Sequence, residues 1–373
     1  MRFPADVPTL SDGNVTLRAH RADDVDGALE QSQDPVSQRW TTVPVPYSRD
    51  DARRFVTQAM PGGWATDQEW AFAVEVDHRY AGTVSLRNEG ERRAEIAYGA
   101  YPSVRGRGVM EAALRLLLEW GFAERELHTV IWWANKGNWA SRKLAWRLGF
   151  SWDGTVRSWL PQRGELLDAW VGGLLHDDER QPRHAWLEVP RIVGERVVLR
   201  AYRAGDVERV QEARGDERAH HWLGQIPASY SMADAERFVE QRHEMAASGK
   251  GISWVVADPT TDVFLGNVSC FEIKPGQEGE LGWFMHPAAR GRGLATEACS
   301  LVVRHGFLPA EDGGLGLQRL VAMAAVGNTA SCRVAEANRF HRYGVERRGT
   351  KLGDGTLVDT ACYDLLLDEW QPR

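Results

Sequence analysis

Tyr101-Pro-Ser-Val-Arg-Gly-Arg-Gly-Val-Met110 and Met285-His-Pro-Ala-Ala-Arg-Gly-Arg-Gly-Leu-Ala295 are the two stretches on which the reading of this chain turns. Each follows an alternating, strand-like segment and precedes a helical one. Glycine lets the backbone turn tightly and approach a ligand closely, because no Cβ stands in the way. The helix that follows opens with unpaired N–H groups and a positive dipole end, worth about 0.3–1 kcal/mol to a nearby negative charge. Two arginines in each copy add donors that suit phosphate oxygens. Together these features make a diphosphate site. No Lys-Ser/Thr follows the glycines, so the loop is not of the Walker kind. The third glycine of the dinucleotide fingerprint is missing too, and the sheet before it reads as antiparallel.

Working outward, the loop is one part of a longer repeat. Val15-Thr-Leu-Arg-Ala-His-Arg-Ala-Asp-Asp-Val25 matches Val197-Val-Leu-Arg-Ala-Tyr-Arg-Ala-Gly-Asp-Val207 at an offset of 182. Asp51-Ala-Arg-Arg-Phe-Val56 matches Asp234-Ala-Glu-Arg-Phe-Val239. The offset is 185 at the two loops and 190 where Gly137-Asn-Trp-Ala-Ser141 meets Gly327-Asn-Thr-Ala-Ser331. A period this long indicates a duplicated domain, not a solenoid. The expected domains are 1–178 and 186–373, joined by the polar stretch His176-Asp-Asp-Glu-Arg-Gln-Pro-Arg-His184.

Composition excludes several classes. The net charge of −7 gives no global field toward nucleic acid or anionic membrane. No apolar run approaches the length of a membrane span, and the N-terminus has no apolar signal core. Cys270, Cys299, Cys332 and Cys362 show neither CxxC pairing nor histidines at zinc spacing, which reads as reduced thiols in a cytoplasmic protein without a metal. Sixteen tryptophans are many for 373 residues. They suit core packing or aromatic walls around a pocket.

Each half reads in the same order. A short strand (Val15 to Arg18; Val197 to Arg200) precedes a helix, and a second helix starts at Ser48-Arg-Asp-Asp51 or Ser231-Met-Ala-Asp234. Three alternating strands lead to the loop: Trp70 to Val76, Ala81 to Leu86 and Ala94 to Tyr101. In the second half they are Ser253 to Ala257, Phe264 to Ile273 and Glu280 to Met285. Met110, Ala113, Leu114, Leu117 and Trp120 then recur at helical spacing. A strand (Thr129 to Trp133; Arg319 to Ala324) and a helix from Asn138 or Asn328 follow. This order predicts a mixed α+β sheet, not a doubly wound one.

On these residues each half resembles the GNAT superfamily of acyl-CoA N-acyltransferases, and within it the ribosomal-protein-alanine acetyltransferase (Rim) subgroup. The family loop reads Arg/Gln-x-x-Gly-x-Gly/Ala. Arg290-x-x-Gly293-x-Ala295 fits it, and Arg105-x-x-Gly108-x-Met110 departs at the last position. The subgroup's strand glutamate corresponds to Glu95 and Glu280, and its Asn-x-x-Ser to Asn138-Trp-Ala-Ser141 and Asn328-Thr-Ala-Ser331. Its closing Leu-Gly-Phe is Leu148-Gly-Phe150, altered to Asn338-Arg-Phe340 in the second copy. The resemblance implies two tandem domains, each a mixed, mostly antiparallel twisted sheet flanked by helices. It implies acetyl-CoA, or another short acyl-CoA, as co-substrate. The diphosphate would meet Arg105, Gly106, Arg107, Gly108, Val109 and Met110 in one copy. In the other it would meet Arg290, Gly291, Arg292, Gly293, Leu294 and Ala295. Asn138 and Asn328 would cap a helix and contact the pantetheine arm.

An amine acceptor requires a group to take its proton. Glu95 and Glu280, on the strands that enter the loops, are the candidate bases. The tyrosine that many relatives use as the acid falls at Ala145 and Ala335, which donate nothing; Ser141 and Ser331 are the alternative. The early helices offer matched substrate-side residues: Trp40 with Trp222 and Tyr47 with Tyr230. Asp168 and Asp359 correspond and read as turn or strand-start structure. His20 aligns with Tyr202 and His128 with Gln318, so neither is a shared base. The expected activity is transfer of an acetyl group to a primary amine of a small molecule or to a peptide N-terminus, by a monomer or homodimer. A CoA-binding scaffold or sensor, with one or both domains non-catalytic, stays open beside it.

Overall fold

In a computed structural model of the protein, which describes residues 1–227 and 229–371, the chain divides into residues 1–183 and 184–373. The first unit runs β1 (Leu10–Ser11), β2 (Thr16–Arg18), α1 (Val25–Gln33), α2 (Pro35–Trp40), α3 (Arg49–Arg54), α4 (Met60–Thr66), β3 (Glu69–Val76), β4 (Arg79–Gly90), β5 (Arg93–Ala100), α5 (Val109–Glu124), β6 (Thr129–Asn135), α6 (Trp139–Arg147), β7 (Gly154–Gln162) and β8 (Glu165–Leu175). The second repeats it: β9 (Ile192–Val193), β10 (Val198–Arg200), α7 (Val207–Arg214), α8 (Glu217–Trp222), α9 (Met232–Ala247), β11 (Gly251–Ala257), β12 (Phe264–Lys274), β13 (Glu278–Met285), α10 (Leu294–Phe307), β14 (Arg319–Ala325), α11 (Thr329–Ala337), β15 (His341–Lys351) and β16 (Leu357–Leu366).

Each unit holds one eight-stranded sheet, in the order β1-β2-β3-β4-β5-β6-β8-β7 and, for the second, β9-β10-β11-β12-β13-β14-β16-β15. The sheets are mixed as the sequence predicts. β5 runs parallel to β6, and β13 to β14, because a helix carries the chain across between them. The other paired strands are antiparallel.

The cores follow the two periodicities. Along α5, Met110, Ala113, Leu114, Leu117 and Trp120 turn onto one face of the first sheet, against Phe72, Val84, Leu86 and Ile96. Full burial of side chains of this size is worth roughly 1.5–3 kcal/mol each. Several tryptophans serve the same purpose: Trp64 and Trp70 pack their rings on Trp120. The opposite face of each sheet is covered by the early helices. There Val25, Ala28, Tyr47, Ala52 and Val56 form a second cluster in the first unit, and Tyr202, Val210, Tyr230, Phe238 and Phe264 do so in the second.

The repeated Leu-Arg-Ala motif turns out to be a buried ionic clamp. Arg18 holds Asp24 with two hydrogen bonds of 2.8 Å and also reaches Glu75. Arg200 holds Asp206 in the same way and reaches Asp262. Ser48 and Ser231 each close a capping box with the aspartate three residues on. Two features were not legible in the sequence: the short helices α2 and α8, and a π-turn at Phe55–Ala59 that separates α3 from α4 ahead of Pro61-Gly62-Gly63.

Candidate functional site

The parallel strands part company early. β5 pairs with β6 from Arg93↔Thr129 to Ile96↔Trp132, and beyond that β5 continues alone on this side to Ala100. β13 and β14 pair from Glu278↔Arg319 to Leu281↔Ala322 and then diverge likewise. A cleft therefore opens between the strands, and the glycine loop lies at its end.

In both copies the loop is built for close approach. Gly106 and Gly108 have φ of +71° and +78°, and Gly291 and Gly293 +73° and +72°. This left-handed region is costly for any residue with a Cβ. A Cβ at Gly106, Gly108 or Gly291 would meet nothing within 4 Å, so the loop is open where a ligand would lie. Gly108 and Gly293 cap their helices without a side-chain bond to the first turn, which leaves those N–H groups facing outward. The loops fit a diphosphate.

The loop arginines divide into two kinds. Arg105 is committed to the protein: its guanidinium lies 2.6 Å from Asp34, the residue that caps α2, and bonds Ser37 and the Ala100 carbonyl. Arg290 does the same with Asp216, the cap of α8, at 2.7 Å. These side chains brace the loop against the early helices. Arg107 and Arg292 are exposed. Met110 does not crowd the loop; it is buried in the α5 core, with its methyl directed at Gly82. Val109 and Leu294 are buried as well, so from these two positions the loop offers a ligand backbone only.

The two glutamates occupy matching positions in different surroundings. Glu95 faces Arg87 across β4 and β5, and their side chains form an ion pair at 2.9 Å. Burial raises its carboxyl pKa, and the Arg87 charge opposes that rise. Glu280 faces Phe271 instead, whose ring leans over Gly282. No cation pairs with Glu280 among the described residues. Burial, reinforced by the negative charge of Glu272, raises its carboxyl pKa.

The serines differ too. Asn138 and Asn328 cap α6 and α11 by accepting from the backbone N–H of Ser141 and Ser331, at 3.2 and 3.3 Å. The Ser141 hydroxyl is held by Tyr98 Oη at 2.7 Å and by Trp132 Nε1 at 3.1 Å. Tyr98 and Trp132 thus bridge the first cleft just where its strands diverge. Trp283 and Ala322 occupy these two places in the second copy, and the Ser331 hydroxyl makes no such bonds. Tyr98 was missed from the sequence because nothing there shows β5 reaching across to α6.

Trp40 and Trp222 stand beside this region, their ring edges over Gly137 and Gly327 immediately ahead of the capping asparagines. Tyr47 and Tyr230 do not line an open surface: both are buried in the helical layer, about 8% exposed. They are corrected here from substrate contacts to core residues. The sequence around them gave no warning, because burial there is set by the packing of the early helices. Asp168 and Asp359 are structural, each accepting from the backbone N–H of a left-handed residue on the neighbouring strand, Ser158 or Arg348, at 2.9 Å. Among the described residues no cluster of metal ligands occurs, and no helix is long and apolar enough to cross a membrane.

Comparison with known proteins gives the family. The chain is 29% identical over 125 residues to the "Probable N-acetyltransferase YjcK" of Bacillus subtilis, covering 33% of this chain and 66% of that protein. It is 35% identical over 103 residues to YdaF of Bacillus subtilis, provisionally named a ribosomal N-acetyltransferase, covering 27% of this chain and 51% of that one. The chain thus spans between half and two thirds of the length of these curated relatives. Among solved structures, RimJ of Mycobacterium smegmatis in complex with CoA-disulfide matches 47% of this chain and 90% of its own at 20% identity, with a TM-score of 0.42. The family model described as "Acetyltransferase (GNAT) domain" matches residues 14–151 and again residues 196–341. Those two matches take in most of the protein, which therefore belongs to the GNAT acetyltransferase family and carries its domain twice.

Proposed function

We infer that the chain is an acetyl-CoA-dependent N-acetyltransferase whose chemistry is done by the second domain. One observation carries this reading: Glu280, half-buried and without a counter-ion, stands on the strand that enters an unbroken family loop. A carboxylate in such a setting accepts a proton more readily than one in water. Acetyl-CoA supplies the acetyl thioester, its diphosphate received by the backbone of Gly291 to Ala295 and the free charge of Arg292. The acceptor ammonium must lose two protons as the amide N–C bond forms and the C–S bond breaks. Glu280 takes one, directly or through water, and returns it to solvent; the other ends on the sulfur. The Ser331 hydroxyl, without a partner among the described residues, donates a hydrogen bond to the departing thiolate.

The first domain lacks two of these conditions. Arg87 pairs with Glu95 and opposes the rise that burial gives its carboxyl pKa, and Tyr98 occupies the Ser141 hydroxyl. Its loop is intact, which suits binding of a CoA moiety without turnover. The acceptor is an amine, on a small molecule or a peptide N-terminus. Release of free thiol from acetyl-CoA, followed over a panel of amines and of short acyl-CoA donors, tests the reading. Amine-dependent release supports it. Donor binding with no amine-dependent release would leave the scaffold reading in its place.

A further inference from the structure

We propose that the second domain holds an anion-binding pocket, formed by Arg214 and Arg242, that receives a carboxylate or phosphate on the acceptor. This rests on the acetyltransferase reading and narrows its acceptor. Arg214 ends α7 and Arg242 lies on α9. Their guanidinium carbons stand 4.2 and 4.6 Å from the centre of the same ring, Phe238. Arg214 also lies 5.3 Å from the Tyr230 ring and 5.5 Å from that of Phe284. Two positive charges thus stand beside one aromatic ring, at the edge of the helical core layer, and repel each other.

No carboxylate answers them among the described residues. Burial lowers the Arg242 pKa, and the charge of Arg214 lowers it further. Elsewhere this chain treats buried arginines differently: Arg18 and Arg200 each hold two carboxylates. The Nε atoms of Arg214 and Arg242 are buried without a hydrogen-bond partner. Two orphaned arginine nitrogens beside one ring are a costly arrangement unless a ligand satisfies them.

The scaffold does not need the pair. At the matching positions the first copy has Ser32 and Ala59, with Gly99 in place of Phe284 and His20 in place of Tyr202. The same fold forms there without either arginine, so the pocket belongs to what the second domain binds. Its place fits an acceptor. Phe284 lies on the diverging half of β13, on the same face as Glu280, four residues or roughly 13 Å further along the strand. An acceptor with its amine toward Glu280 and an oxyanion several bonds away would span the two.

The test uses the full chain and matched probes: glycylglycine against glycinamide-capped glycine, and phosphoethanolamine against ethanolamine. Wild-type protein is expected to favour the anionic member of each pair in kcat/KM by about tenfold to a hundredfold, the range of a charge-assisted hydrogen bond. Preference for the carboxylate or for the phosphate pair tells the two sources apart. Arg214→Ser and Arg242→Ala, which install the residues the first copy already tolerates, should bring the ratio toward one. Calorimetry of the anionic probes without acetyl-CoA should show binding that the same variants abolish. If that binding persists while no amine releases thiol, the transferase reading fails and the pocket stands. Turnover without preference for the anionic members would overturn the pocket and spare the transferase. A loss of CoA affinity in the variants would also overturn it, by assigning the arginines to the donor.

Discussion

Glu95 and Glu280 show how a matched pair of residues acquires different surroundings from its neighbours across the strand. The sequence shows both glutamates, but only the register shows that one faces Arg87 and the other Phe271. His20 is a second case. It aligns with Tyr202, is buried, and bonds Thr83 at 3.0 Å. Burial lowers its imidazole pKa from 6.5 to about 4. The folded state therefore keeps it neutral while the unfolded chain protonates it as pH falls below its ordinary value. Its contribution is present above the unfolded pKa and lost on acidification. The first domain should lose up to about 1.4 kcal/mol per pH unit between those two values from this residue alone. Urea unfolding across that range should show the slope in wild type and a flatter one in His20→Gln. Equal slopes would mean that His20 is not held neutral.

The elements were legible where a periodicity or a cap declared them. The loop, both capping boxes and the α5 stripe could be read directly, since each depends on residues close in sequence. The divergence of β5 from β6 could be expected only through the family resemblance, not from the residues themselves, because it depends on a register that joins residues 36 apart. Nor could Tyr47 and Tyr230 be told from pocket residues, as helix crossing buries them. Two predictions belong at this scale. Gly293→Glu puts a side chain at φ +72° and a carboxylate where phosphate should lie. Titration calorimetry should show CoA binding lost at the second domain; unchanged affinity would remove the loop from the donor site. Arg200→Met leaves Asp206 buried without its partner, which typically costs about 3–5 kcal/mol. Chemical denaturation should show that loss in the second domain, and a change below about 1 kcal/mol would mean water replaces the clamp.

At the scale of the whole molecule, duplication has let two copies of one fold diverge. The second copy keeps the unbroken loop, and among the described residues Glu280 has no cation partner and the Ser331 hydroxyl no hydrogen-bond partner. The first keeps the loop and fills its cleft with Tyr98 and Trp132. Each copy has its own sheet and its own core, so halves separated between residues 183 and 184 should each unfold cooperatively. Insoluble or molten halves, seen by circular dichroism and scanning calorimetry, would show instead that neither core suffices alone. The most direct measurement compares thiol release by Glu280→Gln and Glu95→Gln in the full chain, with CoA affinity measured alongside. Glu280→Gln should lose about 10²–10⁴-fold in turnover, and with it the acidic limb of the pH profile, at nearly unchanged CoA affinity. Full activity in Glu280→Gln, or the loss falling on Glu95→Gln instead, would contradict the assignment of the chemistry to the second domain.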